Sequence, residues 1–541
     1  MLPCFSYSKL HFMYDFRIKI IALCCICLGS LSLMGQGAPL PRLEYTVSVS
    51  DPDNHVYRVE MELLDLPMDT LVLQLPNWMP GYYQMMDYHK GIQNFRLHSG
   101  TLVDSSQAGT WVVTKGQGEP IKLEYGMLTH RTFVANSFVD RDRAYIVPVN
   151  SFLFVEGHSD LPMTLTLKKS HGWTDVATGL ERTYEDSKKA VFVSDDLDAF
   201  MDSPLLMGKL DKLPEFHIDG IPHRFWGHAM GEFDRQGLMD DLKATIKVAT
   251  DLIGHIPYTD YTFIGIGPGR GGIEHLNSST VSFSGKGLDD PQAYLRMMEF
   301  LAHEYFHHYN VKRIRPFELG PFDYRNGSKT TQLWISEGLT SYYASLMVRR
   351  AGISSQAEFL QGIAAGIGQF ENNPGKAYQS LIESSFETWQ EGPFGKSGKD
   401  PDKSISYYVK GPIVGLLMDF GIRHATDNQK SLDDVMRYLY HSYYLEMGRG
   451  FTDAEFRNAC TTISGDSLTE LFQYVYTPKP LDYTTYLGYA GLELERETKT
   501  VVQKDSGGNP VERIVETFSL HPIENPTPAQ KALLDSWMGR P

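Results

Sequence analysis

Two histidines four residues apart, in a stretch typical of one uninterrupted helix, constrain this chain more than any other feature. His303 and His307 follow a start signal in which Asp290 can cap a helix and Pro291 suits its first position. No helix breaker follows until Pro316, and apolar residues recur at helical spacing in between. Residues four apart lie on one face of a helix, with ~5–6 Å between their β-carbons. Both imidazoles are therefore predicted to point at one place.

The residue between them, Glu304, completes the pattern H-E-x-x-H. On a helix, this pattern is typical of a zinc site in which the two histidines hold the ion and the glutamate lies beside it, where it accepts a proton from water. The alternative is a pair of packed or solvated histidines, because so short a pattern also arises by chance. His308 lies about a quarter turn away and is predicted to be solvated or to support the ligands from behind.

A third protein ligand is expected, since catalytic zinc usually has three and leaves one position open. The residues from 333 to 343 begin a second helix that is predicted to end near Arg350 and Gly352, with Glu337 in its first half. A lone glutamate on a helix is usually a surface residue, but one that follows H-E-x-x-H in a neighbouring antiparallel helix is placed to reach the ion. We predict one zinc per chain, held by His303, His307 and Glu337.

A glycine-rich segment precedes the first of these helices. The strand-like residues 261–266 run into it, and Gly271 and Gly272 permit a backbone to approach a ligand closely. If the segment ends in an edge strand, an extended peptide can pair with it, and Glu274 can then bind the peptide's free α-ammonium group. The alternative is a flexible loop with a surface acid. A phosphate cradle is a poorer interpretation, because no Gly-Lys-Ser/Thr follows.

The chain of 541 residues is too long for one hydrophobic core. Alternating apolar and polar residues predict an antiparallel β domain at 38–230, and helical periodicity predicts a mainly helical domain at 231–480. The fold class is thus α+β and multidomain, with a short C-terminal segment at 481–541.

Composition excludes one class of partner and suggests a compartment. The net charge of -16, without a long basic block, argues against binding to nucleic acid. Residues 1–37 are interpreted as a signal peptide, with a basic start and an apolar run too short for a permanent span, so a periplasmic or secreted protein without a membrane span is expected. An uncleaved anchor is the alternative. Only Cys460 follows that segment, so no disulfide can form within one mature chain.

Several segments together resemble the glycyl aminopeptidase family of zinc peptidases. They are GGIEH at 271–275, HEYFHHYNVKRIRP at 303–316, WISEGLTSYY at 334–343 and YYVKG at 407–411. In the N-terminal region, LPNWMPGY at 75–82 and DSP at 202–204 also resemble this family. The likeness extends over about 45 to 490, in the family's order. Relatives commonly carry a C-terminal PDZ domain, and the segment after 480 is too short for a complete one.

The resemblance implies a thermolysin-like catalytic domain behind an N-terminal β domain. It also implies that the enzyme removes N-terminal residues from peptides, with Gly and Ala favoured. In the resemblance, Glu274 matches the glutamate that binds the peptide's amino terminus. Tyr408 matches the tyrosine that stabilises the oxyanion, a role that suits a phenol O–H aimed at developing charge. Tyr407 is the competing candidate for that role, and a packed aromatic pair is the alternative to both.

Two other functions remain open from the sequence. A thermolysin-type endopeptidase would use the same zinc but leave Glu274 without an amine to bind. A secreted protein that binds peptides or glycans, with a structural zinc, is disfavoured because Glu304 and an open metal position suit hydrolysis. The oligomeric state and the natural substrate are not determined by the sequence.

Overall fold

A computed structural model describes residues 40–129, 131–170, 172–504 and 510–539. The predicted signal peptide at 1–37 lies outside these ranges. Among the helices that the structure describes, none combines the length and the apolar character needed to cross a bilayer.

The N-terminal part is built from three β-sheets with little helix. Its strands are β1 (Arg42–Asp51), β2 (Val56–Leu64), β3 (Thr70–Gln74), β4 (Ile92–Ser99), β5 (Thr101–Asp104), β6 (Thr110–Thr114), β7 (Ile121–Leu128), β8 (Phe138–Val139), β9 (Arg143–Ile146), β10 (Phe154–Val155), β11 (Met163–Lys168), β12 (Asp175–Thr178), β13 (Glu181–Glu185), β14 (Lys189–Ser194) and β15 (Leu205–Gly208), and its helices are α1 (Pro148–Ser151) and α2 (Leu197–Met201).

The largest sheet of this part has seven strands in the order β13-β14-β11-β1-β2-β7-β4, and each of the other two has four. Most neighbours are antiparallel, as predicted, with Tyr45 opposite Met61 in the central pair. The pair β1–β11 is parallel, which the prediction of an antiparallel domain did not include. A long excursion through other sheets separates these two strands in sequence, and such a connection allows the parallel direction. Along β2 the buried residues alternate with more exposed ones, so one face packs on the core.

The second part combines one sheet with many helices. Its strands are β16 (Asp211–Lys212), β17 (Phe216–Ile218), β18 (Ile221–Gly227), β19 (Tyr261–Gly265), β20 (Gly272–Glu274) and β21 (Ser278–Val281). Its helices are α3 (Arg235–Ile253), α4 (Pro291–Phe306), a π-helical turn (Trp334–Leu339) that leads into α5 (Thr340–Arg350), α6 (Gln356–Glu371), α7 (Leu381–Glu391), α8 (Tyr407–Ala425), α9 (Leu432–Leu439) with a second π-helical turn (Tyr440–Glu446), α10 (Asp453–Ser464), α11 (Thr469–Tyr476) and α12 (Tyr483–Tyr489).

The sheet of the second part has the strand order β16-β18-β19-β21-β20, with β17 added beside β18. Strands β16 to β18 precede the predicted boundary at 230, and among them β18 pairs in parallel with β19 of the helical part. The two parts also share a core. Trp78, from the N-terminal part, is fully buried among apolar residues of the second part, and its Nε1 donates to the carbonyl of Asp323 at 2.7 Å.

The C-terminal segment closes the fold with a long hairpin and a helix. The hairpin consists of β22 (Leu492–Lys504) and β23 (Pro510–Pro522), and α13 (Pro528–Met538) follows. Trp537 on α13 is fully buried and donates from Nε1 to the hydroxyl of Tyr342 at 2.8 Å. The segment thus packs on the helical part.

Candidate active site

Helix α4 carries the predicted pair of histidines. It begins as expected, with the Asp290 carboxylate accepting from the backbone N–H of Ala293 at 2.7 Å and with Pro291 in the first turn. His307 is the residue that ends the helix, still in a helical backbone conformation. The Nε2 atoms of His303 and His307 lie 2.9 Å apart. The spacing therefore brings both imidazoles to one point.

Glu337 completes the cluster from the π-helical turn before α5. One carboxylate oxygen lies 3.1 Å from His307 Nε2 and 3.6 Å from His303 Nε2. One potential ligand atom from each residue falls within 4.8 Å of the other two. The sequence predicted a plain helix here, whereas the turn is π-helical, a form that is frequent at functional sites. Gly338 in this turn lies so close to Gly411 that a β-carbon would come within 2.8 Å of the Gly411 Cα, which brings α8 against the cluster.

Hydrogen bonds behind the ligands hold them in place. His307 Nδ1 lies 2.8 Å from the carbonyl oxygen of Asn310, which can only accept, so Nδ1 carries the proton and the Nε2 lone pair of the neutral ring is free to bind a metal. The Asn310 side chain donates to the carbonyl of Ile335 at 2.8 Å, which ties α4 to the turn of Glu337. Ser341 Oγ lies 3.4 Å from His303 Nδ1. The donor set and its support fit a zinc ion.

The charges of the cluster also favour a cation at its centre. Burial acts to raise the pKa of Glu337, but His307 and His303 outweigh it and hold that pKa well below its ordinary value. Burial acts to lower the pKa of His307, yet Glu337 and Glu274 raise it to about 10. The carboxylate is thus ionised and attracts positive charge. A divalent ion in this place would displace the imidazole proton, as metal binding generally does.

Glu304 projects from the same helix and is buried. Burial raises its pKa well above the ordinary value, with Glu274 and Glu337 adding to the shift and His307 opposing it. A raised pKa suits a carboxylate that accepts a proton during a reaction. Gly272 lies against it, and a β-carbon at Gly272 would come within 2.4 Å of the Glu304 carboxylate oxygen. Glycine is therefore required there for β20 to approach Glu304.

Strand β20 ends the order of its sheet and pairs with β21 along one side, with Glu274 opposite Ser279. The predicted edge strand is therefore present. Gly271 has φ of +90°, a conformation that favours glycine. Glu274 is buried rather than a surface acid, and within the described ranges its Oε1 has no hydrogen-bond partner. Gly81 of the N-terminal part covers it, with a β-carbon position 2.7 Å from Glu274 Oε2.

The two candidate tyrosines at the start of α8 have different surroundings. The ring of Tyr408 lies 6.1 Å from that of His303, and burial together with the charge of Glu337 raises the pKa of Tyr408 well above its usual value. The hydroxyl of Tyr407 instead lies 3.1 Å from Thr388 Oγ1, away from the cluster. This difference favours Tyr408 as the residue that faces the site.

His308 is buried, which excludes the solvated alternative. Its Nδ1 lies 2.6 Å from the carbonyl of Tyr305, and burial lowers its pKa well below the ordinary value. Asn310, Ser341 and Gly81 also contribute to the site and were not predicted from the sequence. Asn310 stands three residues after His307, a position from which its backbone carbonyl accepts from the imidazole, but no periodicity distinguishes it.

Comparisons with known proteins agree with this architecture. A model of the peptidase M61 N-terminal domain matches residues 44–209, and the M61 glycyl aminopeptidase model matches residues 296–414. The crystal structure of an aminopeptidase N family protein from Idiomarina loihiensis is similar at 26% identity with a TM-score of 0.79, covering 86% of this chain and 81% of that one. No curated protein matches.

More distant structures share the fold. An M1 zinc metallopeptidase from Deinococcus radiodurans, solved as a mutant bound to a Tyr-Ser-Ala substrate, has 14% identity and a TM-score of 0.51, covering 83% of this chain and 96% of that one. Legionella pneumophila aminopeptidase A, in complex with aspartic acid, has 13% identity and a TM-score of 0.51, covering 90% of this chain and 57% of that one.

The cluster makes a prediction about metal content. His303→Ala removes a ligand and should reduce bound zinc from about one ion per chain to near zero, since catalytic zinc needs three protein ligands. Glu304→Gln is the matched control on the same helix and should keep the metal, because Glu304 lies beside the ligands. Metal analysis of the purified, dialysed proteins measures both. Equal zinc in the His303→Ala variant and the unaltered protein would contradict the ligand assignment.

Proposed function

Because the chain belongs to the M61 glycyl aminopeptidase family of peptidases, we propose that it is a zinc-dependent aminopeptidase that removes N-terminal residues, with Gly and Ala favoured. The observation that carries the proposal is the buried Oε1 of Glu274, which has no hydrogen-bond partner among the described residues and lies on an edge strand that also contacts Glu304. An extended peptide paired with β20 would place its α-ammonium at Glu274. A charge-assisted hydrogen bond to that group is stronger than a neutral one.

His303, His307 and Glu337 would hold the zinc ion, which when bound would supply Lewis acidity toward the peptide carbonyl and toward water. The carboxylate of Glu304 accepts a proton from the attacking water and passes it to the nitrogen of the leaving peptide. The leaving group is then a neutral amine and not an amide anion. The Tyr408 hydroxyl donates to the carbonyl oxygen as negative charge develops there. Glu274 sets the distance from the amino terminus to Glu304, so that only the first peptide bond is in reach.

The preference for small residues is supported by the matching family, whose description is M61 glycyl aminopeptidase.

We also propose that the protein acts in the periplasm or outside the cell. The support is the basic and apolar pattern of residues 1–37. A single cysteine in the rest of the chain is compatible with an oxidising compartment, and Cys460 is buried and free.

Glycine at 272 is predicted to be necessary for activity. In Gly272→Ala the new methyl group collides with the Glu304 carboxylate, and displacement of a reacting group by about 1 Å can cost ~100-fold in rate. Gly362→Ala is the control, because a β-carbon there meets nothing within 4 Å. Steady-state kinetics on an alanyl peptide, with zinc content measured in parallel, should show a large loss of kcat in the first variant alone. Normal kcat in Gly272→Ala would mean that Glu304 lies elsewhere in the working enzyme.

Tyr408 and Tyr407 form a matched pair for the oxyanion role. Removing one such donor typically lowers kcat by ~10²–10³, so Tyr408→Phe should show a loss of this order with little change in KM. Tyr407→Phe should be milder, since its hydroxyl lies against Thr388. The opposite ranking in a kcat comparison would transfer the role to Tyr407.

The experiment that tests the proposed function compares free and N-acetylated peptides of one sequence. The unaltered protein should cut the free peptide at its first bond and the acetylated one poorly, because acetylation removes the ammonium charge. Glu274→Ala should lose cleavage of the free peptide while keeping zinc, and Glu274→Gln tests whether charge or size matters. Cleavage of both peptides at internal bonds, with equal rates, would instead support the endopeptidase alternative.

A further inference from the structure

Three charged side chains meet in the interior where the two parts of the protein join. They are Asp202, which ends α2 in the N-terminal part, Lys312, which follows α4, and Glu274 on β20. The exposed fractions of their side chains are 9%, 6% and 5%. Buried charges are normally paired and hydrogen-bonded, because each costs several kcal/mol to remove from water. Here two acids share one base.

The Lys312 ammonium group lies closer to Asp202 than to Glu274. Lys312 Nζ donates to Asp202 Oδ1 at 2.7 Å but lies 3.9 Å from Glu274 Oε1, beyond hydrogen-bond range. Asp202 also accepts from the backbone N–H of Leu276 at 2.8 Å and lies 3.1 Å from His275 Nδ1. Asp202 is thus fully partnered, whereas Glu274 Oε1 is without a hydrogen bond in the described structure.

The pairing of Lys312 with Asp202 affects the charge beside Glu274. Burial acts to lower the pKa of Lys312, but Asp202 and Glu274 outweigh it, so the ammonium group stays charged. Burial acts to raise the pKa of Asp202, and Lys312 and His275 reverse that shift, so the acid stays ionised. The two charges offset each other beside Glu274. If Asp202 did not hold it, the Lys312 ammonium group, now 3.9 Å from Glu274 Oε1, would be free to move into hydrogen-bond range of that oxygen.

We propose that Asp202 is a positioning residue that keeps Lys312 from pairing with Glu274, and so keeps that carboxylate available for the substrate's α-ammonium group. The inference deepens the proposed aminopeptidase function and rests on it. Asp202 does not touch the substrate in this account and acts through Lys312. The N-terminal β part would then set the exopeptidase specificity of a site whose metal ligands all come from the helical part.

A purely structural role for the Asp202–Lys312 pair is the competing explanation, since it joins the two parts. The two explanations differ in what happens when both charges are removed. If the pair only joins the parts, D202N/K312M should be at least as damaged as D202N. If Asp202 restrains Lys312, the double substitution removes the competing ammonium group and should restore binding of the substrate amine.

The test measures KM and kcat for a free alanyl peptide in D202N, in D202N/K312M and in the unaltered zinc-loaded protein. In D202N the ammonium group of Lys312 is released to Glu274, and loss of a hydrogen bond to a charged group predicts a rise in KM of about 10- to 100-fold. The double variant should recover most of that loss. Asp433→Asn is the control, because Asp433 also pairs with a largely buried base, Arg350 at 2.9 Å, but contacts neither Lys312 nor Glu274.

A second readout avoids turnover. In an E304Q background, binding of Gly-Gly to the zinc-loaded protein, measured by calorimetry, should weaken with D202N and recover in the triple variant with K312M. Unchanged KM in D202N, or a double variant no better than the single one, would overturn the inference. If D202N does not fold, the double variant decides by itself: a KM near that of the unaltered protein supports the proposal, and a raised KM overturns it.

A failure of this inference can be distinguished from a failure of the proposed aminopeptidase function. Failure of that function appears in the unaltered protein, as equal cleavage of free and acetylated peptides. Failure of the present inference appears only in the Asp202 variants, while the unaltered protein still requires a free amino terminus.

Discussion

The rest of the structure depends on three buried carboxylates that lie in one small region, those of Glu274, Glu304 and Glu337. Like charges this close oppose one another's ionisation, and burial adds to that effect. Each of the three carboxylates has different neighbours. The imidazoles hold Glu337 ionised, and Glu304 has a raised pKa and suits proton transfer. One oxygen of Glu274 has no hydrogen-bond partner in the part of the chain that the structure describes. Two cations, zinc and the substrate's ammonium group, complete the balance in the function that we propose.

Close approach of backbones is what brings these groups together. Gly272 lets the edge strand lie against Glu304, and Gly338 lets the turn of Glu337 lie against the helix of Tyr408. Side chains at these positions would separate the elements. Asn310 then joins the two ligand-bearing segments by hydrogen bonds from both its backbone and its side chain. The geometry of the cluster therefore depends on packing between elements as much as on the ligands themselves.

The N-terminal part contributes to the site directly. Trp78 anchors it in the core of the helical part, Gly81 covers the Glu274 carboxylate, and Asp202 reaches Lys312. A helical part alone would keep His303, His307 and Glu337 and lose the groups that surround the Glu274 carboxylate.

The sequence by itself determined the helix that carries His303 and His307 and the face that they share, because the four-residue spacing, the cap at Asp290 and Pro291 are all local signals. The type of each half of the fold was predictable for the same reason, since strand alternation and helical spacing are local signals. The tertiary structure alone decided the burial of Glu274, the different surroundings of Tyr407 and Tyr408, and the contact between Asp202 and Lys312. These properties depend on residues far apart in the chain, whose meeting is set by packing and charge compensation rather than by any short pattern.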